Sequence, residues 1–278
     1  MSVSLGAGSA GRPVLLVRAT GGDDRDAETL RDLGIEVVED PYLVVEPCAD
    51  ADAERRARRV LAAVADDVDL LLLTSRAAVR ALDALVGRAA LEEAVATGVR
   101  RGLRGAAVGP ASASALRELG VVDVVEPAVA TSRGLLAELR AESPAADRAP
   151  GRAVLPCGAQ AMKGLGEGLV ADGWRVEEVV VYTTEEAAHV PASVTLFAEG
   201  GIGALVLRSP TAVRAVARHV ATLPAGTVAV CGGPTTAAAV RATWGVEPVV
   251  SSGPTADEVA RTVLDVLASG PGREGAAG

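Results

Sequence analysis

The sequence predicts a doubly wound α/β protein built from two similar halves, each a parallel sheet covered by helices on both faces. Three observations predict it. Short apolar runs alternate with longer Ala/Leu/Arg stretches of helical period along the 278 residues, the order that yields parallel sheets flanked by helices. Hydrophobic residues make up 49% of the chain and aromatic residues only 2%, so the core is Ala, Val and Leu, small enough for helices to lie close on a sheet. Finally, three segments recur in the same order, which indicates duplication.

Taken in order, the strand candidates of the first half are Val14–Arg18, Ile35–Val38, Asp69–Leu73, Ala106–Val108 and Val121–Val125. Those of the second half are Ala153–Leu155, Val176–Tyr182, Ala204–Leu207, Val228–Cys231 and Pro248–Val250. Helices are predicted over Asp24–Leu33, Ala51–Ala65, Ala77–Val86 and Ala111–Leu119, then Ala159–Ala171, Thr211–Val220, Thr235–Thr243 and Ala256–Leu267. Breaks fall at Glu142–Gly151, at Thr183–Pro191 and at a Gly-rich tail, residues 269–278, predicted to be disordered.

The repeat is visible residue by residue. Gly109 to Arg117 matches Gly233 to Arg241 at five of nine positions, and Thr74 to Leu82 matches Arg208 to Val216 at five of nine. A looser pair is Val14–Val38 against Val154–Val176, each carrying Gly-x-x-Val, at Gly34 and Gly173.

Composition excludes several classes of function. Net charge is −9 and the isoelectric point about 4.9, so the chain lacks the basic footprint of nucleic-acid or anionic-membrane binding. Cys48, Cys157 and Cys231 are far apart, no Cys-x-x-Cys occurs, and only His189 and His219 are histidines; neither a disulfide framework nor a metal site is expected. Met1 to Arg12 has no apolar run and the longest apolar strip, Val68 to Leu73, is too short to span a bilayer. These features predict a soluble cytoplasmic protein. There is no phosphate-loop motif, no nucleophile elbow, and Gly164, Gly166 and Gly168 are followed by Leu169 inside a helical stretch rather than forming a dinucleotide fingerprint. Those glycines should weaken their helix by about 1 kcal/mol each, and mobility is expected there. Lys163 is the one lysine of the chain.

What remains is a set of helix starts. Ser75 and Ser209 stand at N-cap positions, with Pro210 at the favoured first helical position. The Gly-Pro pairs 109–110 and 233–234 make tight strand-to-helix turns followed by Ser112, Thr235 and Thr236, and Thr131 and Thr255 open two more helices. Several helix N-termini at the carboxyl edges of parallel sheets form an anion-binding surface, located where open α/β sheets hold ligands. The same hydroxyls are equally the residues that cap helices; as a set they point to a polyanionic ligand held between the domains. Arg208 replaces the Thr of the first copy at a helix start, where a cation opposes the dipole, and Arg76 is placed similarly; either is a candidate for pairing with ligand carboxylates, or a solvated arginine. Tyr182 ends the Val-rich strand, as a rim aromatic or as a phenol donating into the cleft; Cys157, by default, is a buried inert thiol.

The motifs together resemble the uroporphyrinogen-III synthase family. Val14-Leu15-Leu16-Val17-Arg18 with Leu33-Gly34-Ile35-Glu36-Val37-Val38 resembles its opening strand–helix–strand. Leu73-Thr74-Ser75-x-x-Ala78-Val79 resembles its Phe-Thr-Ser-x-x-Ala-Val, and Val181-Tyr182-x-Thr184 its Val-Tyr-x-Thr. Val108-Gly109-x-Ala111-Ser112-Ala113 and Gly233-Pro234-Thr235-Thr236-Ala237 resemble its two Gly-x-x-Thr-Ala turns.

The resemblance implies two flavodoxin-like domains joined by a two-stranded hinge with the ligand cleft between them. Mapped here, residues 1–43 plus 186–268 form a discontinuous domain and 46–180 an inserted one, so each domain combines the opening unit of one repeat with the closing unit of the other. It implies cyclisation of hydroxymethylbilane to uroporphyrinogen III with inversion of ring D, without cofactor or metal. It also implies a monomer that takes its linear tetrapyrrole from the preceding deaminase. Loss of the terminal hydroxyl gives a reactive azafulvene and the pyrrole is the nucleophile, so catalysis is mainly positional. By resemblance Tyr182 is the candidate donor to the leaving hydroxyl. Ser112 and Thr236 take the positions of the family's two turn threonines and Ser75 and Ser209 those of its Thr-Ser serines, with Thr235 a further substrate-binding candidate at the helix start. Arg18, Arg76, Cys157, Gly158, Lys163 and Arg208 complete the candidate binding set. The chain departs from the pattern where Leu73 and Leu207 replace Phe, Arg208 replaces Thr, and Cys157-Gly158-Ala159 replaces Arg-Gly-[Asp/Glu]. The rival readings are a non-catalytic two-domain binding protein for a polycarboxylate tetrapyrrole or other polyanion, and a nucleotide-binding enzyme.

Overall fold

The computed structural model describes residues 11–20, 25–142, 151–160, 164–253 and 255–269. The chain divides into two compact units, one of Met1–Val44 with Glu186–Gly278, the other of Val45–Glu185.

In the first unit, β1 (Val14–Ala19) leads through α1 (Arg25–Asp32) to β2 (Val37–Pro47), which carries the chain out of the unit. The second unit follows with α2 (Ala53–Asp66), β3 (Leu70–Leu73), α3 (Arg76–Val86), α4 (Arg88–Arg100) and β4 (Arg104–Ala107). Then come α5 (Pro110–Glu118), β5 (Val124–Val125), α6 (Ser132–Glu142), β6 (Arg152–Gly158), α7 (Gly164–Ala171) and β7 (Arg175–Glu186). The chain re-enters the first unit with α8 (Ser193–Ala198), β8 (Ala204–Leu207), α9 (Pro210–Ala217), β9 (Val228–Cys231), α10 (Pro234–Trp244), β10 (Val249–Val250) and α11 (Ala256–Ser269).

Within the first unit the strand order is β10-β9-β8-β1-β2; within the second it is β7-β6-β3-β4-β5. Neighbouring strands within each unit run parallel. Each is the flavodoxin-like order 2-1-3-4-5, but in the second unit the first two strands by position, β6 and β7, come last in sequence.

Each sheet has a core on both faces because successive strand residues point to opposite sides. In the second unit Leu71 and Leu73 meet α2–α5, while Leu70 and Leu72 meet α6 and α7. In the first, Leu15 and Val17 join the cluster of α9 and α10, and Val14 and Leu16 that of α1 and α11. Gly34 and Gly173, the matched glycines of the repeat, have φ of +75° and +87°. Each terminates its helix in the left-handed conformation, with the next residue's N–H reaching back to Leu30 O at 3.1 Å and Leu169 O at 2.9 Å.

The ten predicted strands and eight predicted helices are present; α4, α6 and α8 were not among the predicted ranges, although Thr131 was read as a helix start. β2 runs nine residues past Val38, through Pro41. The strand tolerates that proline because the β1–β2 register slips immediately after it: Arg18 pairs with Pro41 and Ala19 with Leu43, leaving Tyr42 as a bulge residue. Gly164, Gly166 and Gly168 lie in α7. A Cβ on Gly166 would fall 1.9 Å from Glu178 Oε1, and one on Gly168 2.4 Å from Leu136 Cδ1. Two of the three glycines therefore let α7 sit close to β7 and α6. Of the tail, Ser269 closes α11 and residues 270–278 lie outside the described residues, as do Lys163 and Asp24. Among the described residues no helix is long and apolar enough to cross a membrane.

Candidate functional site

In a doubly wound sheet, ligands meet the carboxyl ends of the strands at the point where connections diverge to opposite faces. In the second unit that point lies between β6, which leads to α7, and β3, which leads to α3. Tyr182, Gly158 and Ser75 converge there. The β6–β7 register slips just before it: Cys157 pairs with Val180 and Gly158 with Tyr182. Val181 is thus a bulge residue, and both Val181 and Tyr182 pack on the α2–α5 face, against the alternation of an unbroken strand. The Tyr182 ring lies directly over Gly158, where a Cβ would stand 2.6 Å from Cε2 and 2.8 Å from Cζ. Burial pushes the Tyr182 phenol above its ordinary range, partly offset by hydrogen bonds from the Ser75 side chain and the Gly158 backbone. Ser75 also caps α3, its Oγ accepting from Ala77 N at 3.1 Å. Capping and contact with the phenol are thus combined in one hydroxyl.

Arg76 is the first residue of α3 and is partly exposed. Ser112 lies in the first turn of α5 but is only 5% exposed; Gly109, the N-cap residue, has no side chain to satisfy that turn, and Pro110 follows it. Cys157 is 3% exposed and belongs to the core among Leu155, Leu165 and Leu169, with its thiol pushed up to about 11, chiefly by burial. Its side chain therefore faces α6 and α7, and only its backbone is at the edge. Sequence reasoning missed Gln160, whose Oε1 accepts from Thr184 N at 3.1 Å beside the same edge; no motif marks it.

In the first unit the corresponding point lies between β1, which leads to α1, and β8, which leads to α9. Ser209 caps α9, its Oγ accepting from Ala212 N at 3.2 Å. Arg208 does not stand as an uncompensated cation at a helix start: its Nε lies 3.2 Å from Asp26 Oδ2, in the first turn of α1. That contact joins residues far apart in sequence. Arg18, in β1, pairs with Glu39, which also takes Arg31. Thr235 is exposed and Thr236 4% exposed at the start of α10, whose N-cap residue is Gly233. Thr131 and Thr255 cap α6 and α11, the latter in a capping box with Glu258, Thr255 N donating to Oε2 at 3.0 Å. Among the described residues no group of three or more His, Cys, Asp or Glu is set to hold a metal ion.

Two doubly wound units, each with helix starts and hydroxyls at its carboxyl edge and one with the partly buried Tyr182 phenol there, define a two-domain α/β protein of the doubly wound class. A sequence model of one such family, described as "Uroporphyrinogen-III synthase HemD", matches residues 24–261. The chain belongs to the uroporphyrinogen-III synthase family, lyases of tetrapyrrole biosynthesis that act on a linear tetrapyrrole. Its fold is shared with a mutant uroporphyrinogen III synthase from the extremely thermophilic bacterium Thermus thermophilus, at TM-score 0.52 and 22% identity over 92% of this chain and 99% of that one. The enzyme from Helicobacter pylori is similar at TM-score 0.55 and 13% identity, again over 92% and 99%. No curated protein matches the chain. The activity is the family's: hydroxymethylbilane is cyclised to uroporphyrinogen III, with inversion of ring D and loss of water.

Proposed function

We propose that Tyr182 donates a proton to the departing hydroxyl of hydroxymethylbilane, while the carboxyl edges of the two units bind the substrate's carboxylates. The observation that carries this reading is the setting of the phenol. The Tyr182 ring lies directly over Gly158, in a strand register that turns it onto the α2–α5 face at the carboxyl edge of the second unit. A phenol held above its ordinary pKa by burial is a weak acid, which suits a reaction whose leaving group departs to a stabilised azafulvene. The remaining work is placing the substituted carbon of ring D against the reactive methylene and excluding water, both positional.

Carboxylate binding falls to Arg18, Arg76 and Arg208 and to the first turns of α3, α5, α9 and α10, through Ser75, Ser112, Ser209, Thr235 and Thr236. Gly158 and the Cys157 backbone would border the phenol; Lys163 completes the proposed set. β2 and β7 would serve as the hinge between two flavodoxin-like domains. The three cysteines are free and buried, in keeping with a reducing compartment, and we assign the protein to the cytoplasm as a monomer that receives its bilane from the preceding deaminase.

The test is a coupled assay. Hydroxymethylbilane is generated in situ, the purified protein is added, and the oxidised type I and type III uroporphyrins are separated. Spontaneous closure gives type I, so type III measures the enzyme. Tyr182→Phe should lower the rate of type III formation more than it lowers affinity for uroporphyrin; an unchanged rate would sink the role given to the phenol.

A further inference from the structure

Arg208 and Asp26 span the point of the first unit where β1 and β8 send their helices to opposite faces. Arg208 directly follows β8 and precedes the Ser209 cap of α9; Asp26 lies in the first turn of α1, on the other face of the sheet. Their ion pair, Nε to Oδ2 at 3.2 Å, therefore crosses the crevice in which this class of sheet holds ligands. At the end of the next strand, a Cβ on Gly232 would stand 3.2 Å from Arg208 Nη1 and 3.3 Å from Cδ. The guanidinium thus rests on a glycine, and a side chain there would crowd it. Its side chain is 35% exposed and that of Asp26 16%, so the arginine is within reach of an incoming ligand.

Stability accounts poorly for this arrangement. A partly exposed ion pair contributes about 0–1 kcal/mol, and a cation at the start of α9 opposes the helix dipole. Asp26, by contrast, is favoured where it is, an acid at the N-terminus of α1. It can give up Arg208 and still keep its charge compensated.

We propose that Arg208 is a receptor for a carboxylate of the tetrapyrrole and that Asp26 is an internal carboxylate exchanged for it on binding. This rests on the reading that the carboxyl edges bind substrate, and it adds a residue, Asp26, that competes with substrate for a specificity-determining arginine. Electrostatically the exchange trades one charge-assisted pair for another, with the bidentate geometry available to a planar carboxylate.

The experiment titrates uroporphyrin III, a stable polycarboxylate, into the full chain and its variants by fluorescence, with thermal melting and type III formation measured alongside. Arg208→Ala should weaken binding about tenfold, the scale of one charge-assisted hydrogen bond. Asp26→Asn should strengthen it about two- to fivefold by removing the competitor, and the double variant should bind as Arg208→Ala does. Arg208→Gln serves as the second variant if the alanine protein fails to fold. Unchanged binding in the Arg208 variants, or unchanged or weaker binding in Asp26→Asn, overturns the exchange. Should the unaltered protein form type III product while these variants behave that way, the exchange alone fails. Should it neither form type III nor bind uroporphyrin, the underlying reading fails with it.

Discussion

Gly158→Ala puts the geometry of the phenol to a quantitative test. The new methyl would stand 2.6 Å from Cε2, 2.8 Å from Cζ and 3.2 Å from Cδ2 of Tyr182. Carbon atoms rest at about 3.5–4.0 Å, so the ring must shift by about 1 Å. The backbone cannot easily yield, because Gly158 closes β6 in register with Tyr182 and Ala159 N donates to Tyr182 O at 2.9 Å. A shift of that size displaces the phenol from its place beside Ser75, and a misplacement of about 1 Å costs about 10²-fold in rate. Overpacking should cost about 1–3 kcal/mol of stability. Type III formation in the coupled assay is therefore expected to fall about 10²-fold in a protein that still melts cooperatively, and Tyr182→Phe added to Gly158→Ala should lose little more. Full activity in folded Gly158→Ala would refute the placement of the phenol as the reacting group.

Other substitutions separate structural from functional roles. Ser75→Ala and Ser209→Ala should each lower stability by about 1 kcal/mol through the lost cap, seen by denaturant melting, but only Ser75→Ala should also slow type III formation out of proportion to its effect on uroporphyrin affinity. Gly98→Ala should destabilise the second unit by about 1–3 kcal/mol with no effect of its own at the site, because its Cβ would lie 2.4 Å from the backbone oxygen of Val64; an unshifted melting curve would contradict the close approach of α4 to α2. Burial raises the Cys157 and Cys231 thiols to about 11 and also raises Tyr42 and Tyr182. Groups whose folded pKa is raised contribute stability that is complete below their unfolded values and is lost as pH rises through the folded ones. Denaturant midpoints should therefore begin to fall above about pH 9, and a midpoint constant to pH 11 would disprove this. In the native protein Cys157 and Cys231 should react with Ellman's reagent far more slowly than in the unfolded chain.

Much of this architecture is local, and local physics is legible. Leu70–Leu73 reads as a strand buried on both faces because four consecutive leucines have nowhere else to go in a sheet with helices above and below. Ser75 and Ser209 read as caps because a hydroxyl before a helical run has an N–H within reach, and Gly34 and Gly173 read as matched because both helices end in a left-handed residue. The repeat exposed the duplication, and the family resemblance mapped the exchange of its halves between two domains. Prediction stopped where a contact depends on chain segments far apart. β2 continues past Val38 through Pro41, where a register slip against β1 accommodates the proline. α4 follows α3 after a single glycine, and its apolar stripe is weak.

The sequence by itself determined the alternating elements, the duplicated fold and the helix starts gathered at strand ends, since each follows from periodicity, turn chemistry or capping within a few residues. Only the tertiary structure decided which side chains meet there. A one-residue bulge turned Tyr182 onto the face of Ser75 and over Gly158, and packing of α1 beside β8 gave Arg208 its partner in Asp26. Register, burial and distant pairing are properties of the assembled sheet, and no short stretch of residues encodes them.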